Sequence, residues 1–132
     1  MINAKLTISN SKNKKDLSER LLDFVVNVIK IADMLPNKVS GRHVAGQLIR
    51  AGTSSGSNCE EACGAESRSD FVHKMSIVLK ELKEARFWLR VIQRTGMLSI
   101  SDTGPAIIDE GEQLCAIAGK SIITAKDRKK KG

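Results

Sequence analysis

The sequence predicts an all-α protein that folds as an antiparallel up-down-up-down four-helix bundle. Four long stretches repeat apolar residues every three or four positions, which gives each of them one apolar helical face. Only two prolines occur, Pro36 and Pro105, and both fall at predicted helix boundaries. Short links between four such helices favour a bundle, and a length of 132 residues suits a single core.

Residues 1–15 are polar and predict an irregular, basic N-terminal arm. The first helix is predicted over residues 16–35, where Asp16 or Ser18 can cap the N-terminus by accepting a hydrogen bond from an otherwise unpaired backbone N–H. Pro36 disfavours the helical conformation of the residue before it and ends this helix.

The second helix, predicted over residues 40–64, is rich in small residues. Gly52 and Gly56 each cost about 1 kcal/mol relative to alanine inside a helix. Close approach of a neighbouring helix would offset this cost. We therefore expect the glycines to face large side chains of the third helix, such as Phe71 and Leu82.

Asn58 lies on the inward stripe of the same helix. Two interpretations stay open for this residue. It is either a buried polar group that fixes the register of the helices at some cost in stability, or a half-exposed side chain.

Polar residues and glycines mark the ends of the second and third helices. Ser40 is the predicted N-cap of the second helix, and Gly64 is a candidate for a left-handed C-terminal cap. Ser67 then opens the third helix, predicted over residues 67–95, with Asp70 three positions on as a partner resembling a capping box. The third helix has the most regular inward stripe: Phe71, Met75, Val78, Leu82, Ala85, Leu89, Ile92 and Gly96.

The fourth helix is predicted over residues 104–126. Thr103 or Asp102 can cap it, and Pro105 suits its first turn because no intrahelical partner is needed there for the missing N–H. Its inward stripe contains smaller residues than those of the other helices. We therefore expect this helix to be shorter or looser, and to pass into a basic tail over residues 127–132.

Positive charge is concentrated at the two ends of the chain. The formal net charge is +7, but without the nine Lys and Arg residues of the ends the body over residues 16–125 has 13 basic residues against 14 acidic ones. The ends are therefore either solvated, frayed segments or basic arms that bind polyanions. The C-terminal cations are Lys126, Arg128, Lys129, Lys130 and Lys131.

A row of basic residues also follows the outer face of the third helix, formed by Lys83, Arg86, Arg90 and Arg94. Such a row can track phosphates through charge-assisted hydrogen bonds, although charged outer faces are common on helices. Aromatic residues are scarce, with three Phe, one Trp and no Tyr, which disfavours base stacking on aromatic platforms.

The sequence lacks the usual patterns for catalysis or cofactor binding. It contains neither a glycine-rich phosphate loop nor the Glu-x-x-His pair of di-iron bundles, and no Ser or Cys triad can be assembled. Cys59 and Cys63 share one side of the second helix and could hold zinc with His43 or His73. The alternative is that they are small, buried residues. We predict no enzyme, no metal and no cofactor.

Three carboxylates, Glu60, Glu61 and Glu66, cluster at the corner between the second and third helices. They are either a solvated helix end or part of a polar network that ties Arg50 and Arg68 to this end of the bundle. We favour a structural role for these carboxylates.

The cysteine count and the N-terminal residues predict a cytoplasmic protein. Three cysteines, an odd number, occur in a chain with no apolar signal region at its start. No stretch of about 18 apolar residues predicts a membrane span. Free thiols in a reducing compartment follow from these observations.

The stretch from Gln47 to Phe71, QLIRAGTSSGSNCEEACGAESRSDF, and the helix after it resemble the four helix bundle protein family, that of the 23S rRNA intervening-sequence proteins. The family pattern is an Arg-Ala-x-x-Ser-x-x-x-Asn-x-x-Glu run followed by a Ser-x-x-Asp/Glu-Phe corner. In this sequence the pattern falls on Arg50, Ala51, Ser54, Asn58 and Glu61, with Gly52 and Gly56 between them, and then on Ser67, Asp70 and Phe71. The resemblance covers about residues 17–98 and is weaker in the fourth helix.

This resemblance implies a bacterial four-helix bundle that forms a homopentamer with a central channel. It also implies kinship with the accessory variability determinant protein of diversity-generating retroelements, which is basic and pentameric and binds nucleic acid and a reverse transcriptase. No enzymatic activity is implied. Because the body of this chain is nearly neutral, the tails become the main candidates for nucleic-acid contact.

Two functional hypotheses follow. In the first, a non-enzymatic oligomeric bundle binds RNA or DNA through the basic row and the tail cations. In the second, the oligomer is a protein-interaction scaffold with no nucleic-acid role. Apolar residues off the inward stripes predict subunit contacts in both cases: Val26, Val72, Leu79 and Trp88.

Overall fold

The computed structural model describes residues 16–99 and 104–131. Within these ranges the chain forms four helices and no strand: α1 (Leu17–Asp33), α2 (Val39–Cys63), α3 (Arg68–Thr95) and α4 (Gly104–Lys131). Each helix packs against the next, and α1 also packs against α4. The all-α class and the bundle packing are confirmed. The predicted N-terminal arm and the caps predicted at Asp102 and Thr103 lie outside the described residues.

Contacts between successive helices run in opposite chain directions. Along α1 and α2, Val28 lies against Gly52, whereas the earlier Val25 lies against the later Gly56. The ion pairs between α2 and α3 follow the same rule, since Arg50 pairs with Glu81 and Glu61 pairs with Lys74. These pairings agree with the predicted up-down order.

Two predicted helix caps are present. The Asp16 carboxylate accepts a hydrogen bond from the backbone N–H of Glu19 at 2.9 Å and begins α1. The Ser67 hydroxyl accepts one from the N–H of Asp70 at 3.0 Å and begins α3. Each cap satisfies a backbone donor that has no partner within its own helix.

Two other predictions about helix ends are wrong. The second helix begins at Val39, after Lys38, without a side-chain cap, so Ser40 lies inside the helix. Gly64 ends that helix with φ −98°, which is outside the left-handed region. Its backbone N–H donates to the carbonyl oxygens of Ala62 and Glu61, so the last turn closes without a left-handed residue. The left-handed residue is Gly96 at the end of α3, with φ 68°.

The core is built mainly from the inward stripes that the apolar spacing predicts. In α3 the stripe is buried from Met75 to Ile92, but Phe71 at its start is half-buried and Gly96 at its end is exposed, because the helix ends there. Asn58 on α2 is half-buried, and its amide donates to the Ser54 carbonyl oxygen at 2.9 Å. No helix of the described residues is both long and apolar enough to cross a membrane.

The fourth helix is a full member of the bundle, which contradicts the expectation of a shorter or looser element. It has 28 residues, as many as α3. Ile107, Leu114 and Ala118 are each 0% exposed. Small residues still bury completely when the facing helix is close. The helix also continues to Lys131, so residues 127–131 form its last turns rather than a separate tail.

The glycines of α2 face α1 and not α3, which corrects the predicted pairing with Phe71 and Leu82. A Cβ at Gly52 would lie 2.8 Å from Cγ1 of Val28, and one at Gly56 would lie 3.0 Å from Cγ2 of Val25. Positions 52 and 56 follow the buried positions 51 and 55 by one residue. They are therefore turned about 100° around the helix from that stripe, toward the flanking helix.

Alanine substitutions at two glycines of α2 are expected to have opposite effects. Nothing lies within 4 Å of a Cβ at Gly46, so Gly46→Ala should raise the free energy of unfolding by up to about 1 kcal/mol through helix propensity. Gly52→Ala should lower it by about 1–3 kcal/mol, because the methyl group overpacks the contact with Val28. Urea unfolding at one protein concentration measures both. Equal stabilisation by the two variants would contradict the close packing of α1 on α2.

A row of apolar residues stays exposed on the outer side of α1. Leu22, Val26 and Ile29 are 55%, 38% and 37% exposed and recur at four- and three-residue steps. Of the residues predicted to mark subunit contacts, only Val26 belongs to this row. The other three, Val72, Leu79 and Trp88, are partly buried against the core of their own chain.

Candidate nucleic-acid interface

The basic row of α3 is only partly available to a ligand. Lys83, Arg90 and Arg94 are exposed, but Arg86 is half-buried. Its guanidinium donates from Nη1 to Oε1 of Glu112 on α4 at 3.1 Å. Arg86 therefore has a carboxylate partner within the bundle, and three predicted phosphate ligands remain on this face.

Charge is segregated along α4. Its first half contains Asp109, Glu110 and Glu112, whereas its second half contains Lys120, the C-terminal cations and one acidic residue, Asp127. Because the Arg86–Glu112 pair holds α3 against the acidic half of α4, the basic row lies beside negative charge. This arrangement weakens the row as a site for a polyanion.

The predicted C-terminal cations lie on the last turns of α4. Lys126 and Arg128 are exposed. The backbone of Lys129, Lys130 and Lys131 continues the helix. The helix holds Lys126 and Arg128 two positions apart on one continuous element. These two cations can therefore contact a phosphate chain without the loss of backbone entropy that ordering a flexible tail would cost.

A groove of about 800 Å³ opens where the start of α3 meets the second half of α4, and we call it the corner groove. The end of α2 and residues 65–67 also line it. Its apolar lining includes Phe71 and Ile117, and its polar lining includes Ser121 and Thr124. The volume lies within the range of pockets that hold small molecules.

Three cations line the corner groove: Arg68, Lys120 and Arg128. None of them forms an ion pair with a carboxylate of the described part of the chain, unlike Arg86 on the row. Among the described residues of the lining, Glu66 is the one with an acidic side chain. The N-terminus of α3 adds the partial positive charge of the helix dipole. The corner groove therefore presents more positive than negative charge.

Sequence reasoning missed Arg68 and Lys120 as parts of a possible site. They are isolated in the sequence, 52 positions apart, and neither belongs to a charge run. The predicted bundle could have indicated that these two residues lie close together, because antiparallel packing brings the start of α3 beside the end of α4.

The motif residues that carry the family resemblance hold the helices together. Arg50 on α2 donates to Oε2 of Glu81 at 2.9 Å and also pairs with Glu84 on α3. The hydrogen bond with Glu84 raises the pKa of Arg50, and the same contact lowers the pKa of Glu84. Trp88 supports the pair by donating from Nε1 to Glu84 at 3.3 Å.

The carboxylates of the corner do not bind the arginines that sequence reasoning considered. Glu61 accepts a hydrogen bond from Nζ of Lys74 at 2.9 Å, which raises the pKa of that lysine. Glu60 accepts one from the Ser18 hydroxyl at 2.5 Å. Glu61 therefore ties α2 to α3, and Glu60 ties α2 to α1. The network that would include Arg50 and Arg68 is not formed.

The cysteines differ in their environments. Cys59 and Cys115 are buried, whereas Cys63 is exposed and lines the corner groove. Burial is the main cause that raises the pKa of Cys59 to about 12, and burial also raises the pKa of Cys115. In the described residues, no group of three His, Cys, Asp or Glu side chains is placed to hold a metal ion.

The four amphipathic helices, their interhelical ion pairs and the basic corner groove define a small helical-bundle protein. The chain belongs to the 23S rRNA-intervening sequence protein family, whose sequence profile matches residues 13–119. This membership confirms the resemblance drawn from the Arg50–Phe71 motif. No protein with a curated description matches the chain.

A solved structure supports the same assignment. The chain is similar to a protein of unknown function from the S23 ribosomal protein family of Bacteroides thetaiotaomicron VPI-5482. The two share 29% sequence identity with a TM-score of 0.74, and the alignment covers 81% of this chain and 98% of the other. The neighbour therefore matches almost over its whole length.

Proposed function

We propose that this protein is a non-enzymatic, oligomeric helical bundle that binds nucleic acid, RNA or DNA, in the cytoplasm. The observation that carries the proposal is that Arg68, Lys120 and Arg128, where α3 begins and α4 ends, form no ion pair with a carboxylate of the described residues. The exposed cations of the α3 row, Lys83, Arg90 and Arg94, supply a second, weaker contact surface. Phosphate contacts of this kind bind without reading bases.

The test is a titration of a labelled, mixed-sequence RNA, followed by fluorescence anisotropy between about 50 and 200 mM salt. We expect the logarithm of the association constant to fall linearly with the logarithm of salt concentration, because bound phosphates release counterions. Replacing the five C-terminal cations with glutamine should reduce both the affinity and the slope. Glutamine retains the helix propensity of α4 better than a deletion does.

A control in the same helical turn sharpens this test. Asp127 is exposed between Lys126 and Arg128. Asp127→Asn removes one negative charge and should raise the affinity slightly, whereas a non-electrostatic mode would leave it unchanged. Undetectable binding at low salt, or an affinity that does not respond to salt, would contradict nucleic-acid binding.

The exposed apolar row of α1 supports self-association. Leu22 lines a groove between α1 and α2 together with Gly56 and Thr53. Val26 and Ile29 continue the exposed row along α1. A second copy of the chain can cover this row and remove it from water. The family resemblance favours a pentamer, so we propose a homo-oligomer with five subunits.

Charge on the α1 row is expected to dissociate the oligomer. Val26→Glu places a carboxylate in the proposed contact and should shift the mass from light scattering toward that of a 14.4 kDa monomer. Val39→Glu is the matched control, because Val39 is 78% exposed at the start of α2, where a carboxylate suits the helix dipole. A monomer mass for the unmodified protein at micromolar concentration would refute self-association.

The alternative function is a protein-interaction scaffold, with a partner such as a reverse transcriptase. The α1 row favours this alternative, because an exposed apolar surface suits a protein partner as well as a second copy. Capture of a partner that survives nuclease and high salt, and is lost in Val26→Glu, would support the scaffold. Loss of capture on nuclease treatment would support nucleic-acid binding instead.

A further inference from the structure

The corner groove differs from the basic row of α3 because it combines apolar lining residues with three cations that form no ion pair within the described part of the chain. Its lining includes the half-buried side chains of Phe71 and Ile117, which we call its apolar floor. The exposed side chains of Arg68, Lys120 and Arg128 also line it, and we call them its cationic rim. An apolar floor beside a cationic rim suits a ligand that has both an apolar face and negative charge.

We infer that the corner groove binds single-stranded nucleic acid, with one nucleotide base against the apolar floor and the neighbouring phosphates on Arg68, Lys120 and Arg128. This inference rests on the proposed function and locates its main contact. A nucleotide has the required combination of a flat, largely apolar base and an anionic backbone.

The apolar floor of the corner groove favours a single strand over a duplex. The bases of a duplex are stacked in its interior, so placing one of them on the floor would require flipping it out, at a cost of a few kcal/mol. A single strand has no such cost. A duplex can contact only the cations at the rim, as it can contact those of the α3 row.

The acidic groups near the corner groove limit how the strand lies. Glu66 is exposed on the lining, and Asp127 is exposed next to Arg128. Asp70 is half-buried and lies in the first turn of α3. Because two of these three carboxylates lie at the start of α3, phosphates are expected closest to Lys120 and Arg128 on α4, with Arg68 as the third contact. Three phosphate contacts with a single strand predict a salt slope of about −2.

Two matched double variants test the location. Arg68→Gln with Lys120→Gln neutralises one arginine and one lysine of the corner groove. Arg90→Gln with Lys83→Gln neutralises the same residue types on the α3 row, where both are also exposed. All four side chains are exposed and lack described ion pairs, so both variants should retain the fold.

We expect the groove variant to weaken binding of a mixed-sequence single-stranded RNA by about tenfold or more, and binding of the matching duplex by no more than about threefold. The row variant should weaken both forms to a similar, small extent. Equal losses of single-strand affinity in the two variants would overturn the inference while leaving nucleic-acid binding intact. Undetectable binding of either form by the unmodified protein would overturn both.

Cys63 provides an independent readout of occupancy. It is the exposed cysteine and lines the corner groove, whereas Cys59 and Cys115 are buried and should react slowly with a maleimide. Saturating single-stranded RNA should slow alkylation of Cys63 at least about fivefold, because a base on the floor blocks the approach to the thiol. Duplex at saturation should give no more than about twofold protection.

The alkylation result also separates a nucleotide site from a simple anion site. Inorganic polyphosphate matches the backbone charge but has no bases. If it protects Cys63 as well as single-stranded RNA does, the base-binding part of the inference is wrong. If duplex protects as well as single strand, the preference for single strands is wrong.

Discussion

Replacing Arg20 with methionine is expected to lower the free energy of unfolding by about 3–5 kcal/mol, the range found when one partner of a buried ion pair is removed. Methionine keeps the length and flexibility of the side chain, so the loss reports the missing charge rather than a cavity. Urea unfolding at one fixed protein concentration measures the change, because any subunit dissociation then contributes equally to both proteins.

The size of this effect follows from the geometry of the pair. Arg20 on α1 donates from Nη2 to Oε1 of Glu110 on α4 at 2.6 Å, and from Nε to Oε2 at 3.1 Å. The two side chains are 13% and 7% exposed. The same Nη2 also donates to Oε1 of Gln113 at 3.1 Å. Without the guanidinium, the Glu110 carboxylate would remain desolvated with both oxygens short of a strong donor.

A second substitution distinguishes this mechanism from general damage. Arg20→Met combined with Glu110→Leu removes both charges and should recover most of the lost stability, since an apolar pair of similar size needs no desolvated ion. Lys74→Met, at the exposed pair with Glu61, is the control and should change the unfolding midpoint little. A double variant as unstable as the single one would show that the Arg20 side chain matters for reasons other than charge.

The helices and their inward stripes could be predicted because local sequence determines them. The regular spacing of α3 from Met75 to Ile92 marks one face, and the structure buries that face. Asp16 and Ser67 act as caps because a short polar side chain before a helix can reach its free N–H groups. These signals involve residues within one or two turns of each other.

Contacts between helices could not be predicted in the same way. Arg20 and Glu110 are 90 positions apart, and nothing in the apolar spacing distinguishes them from surface charges. The glycines of α2 were correctly expected to allow close approach, but α1 and α3 both flank that helix. The choice of α1 depends on the rotation of α2, which a shift of one position changes by about 100°.

The candidate site shows the same division. The α3 row was visible as a charge run, but only the structure shows that Glu112 neutralises Arg86. Arg68 and Lys120 of the corner groove lie on two different helices, so no local sequence pattern predicts the groove. A charge run indicates which residues are available, while ion pairing and groove shape decide which of them can bind a phosphate chain.

The packing of α4 can be tested directly, because its small inward stripe predicted a looser helix than the structure shows. Leu114→Ala is expected to lower the free energy of unfolding by about 2–5 kcal/mol, because the side chain is 0% exposed and its removal leaves a cavity in the core. A shorter, looser helix of the kind that the small stripe suggested would relax around the change and lose less. Urea unfolding, followed by helical circular dichroism, measures the difference.

Ile123→Ala is the matched control on the same helix. Ile123 is 62% exposed, so its truncation should change stability by no more than about 0.5 kcal/mol. If both variants lower the free energy of unfolding equally little, the buried face of α4 does not contribute to the core. The corner groove would then lack a fixed wall, because Lys120 and Arg128 are positioned by this helix alone. A large loss in Leu114→Ala with little in Ile123→Ala instead means that the α4 cations are held on a rigid, core-packed element, as phosphate binding in the groove requires.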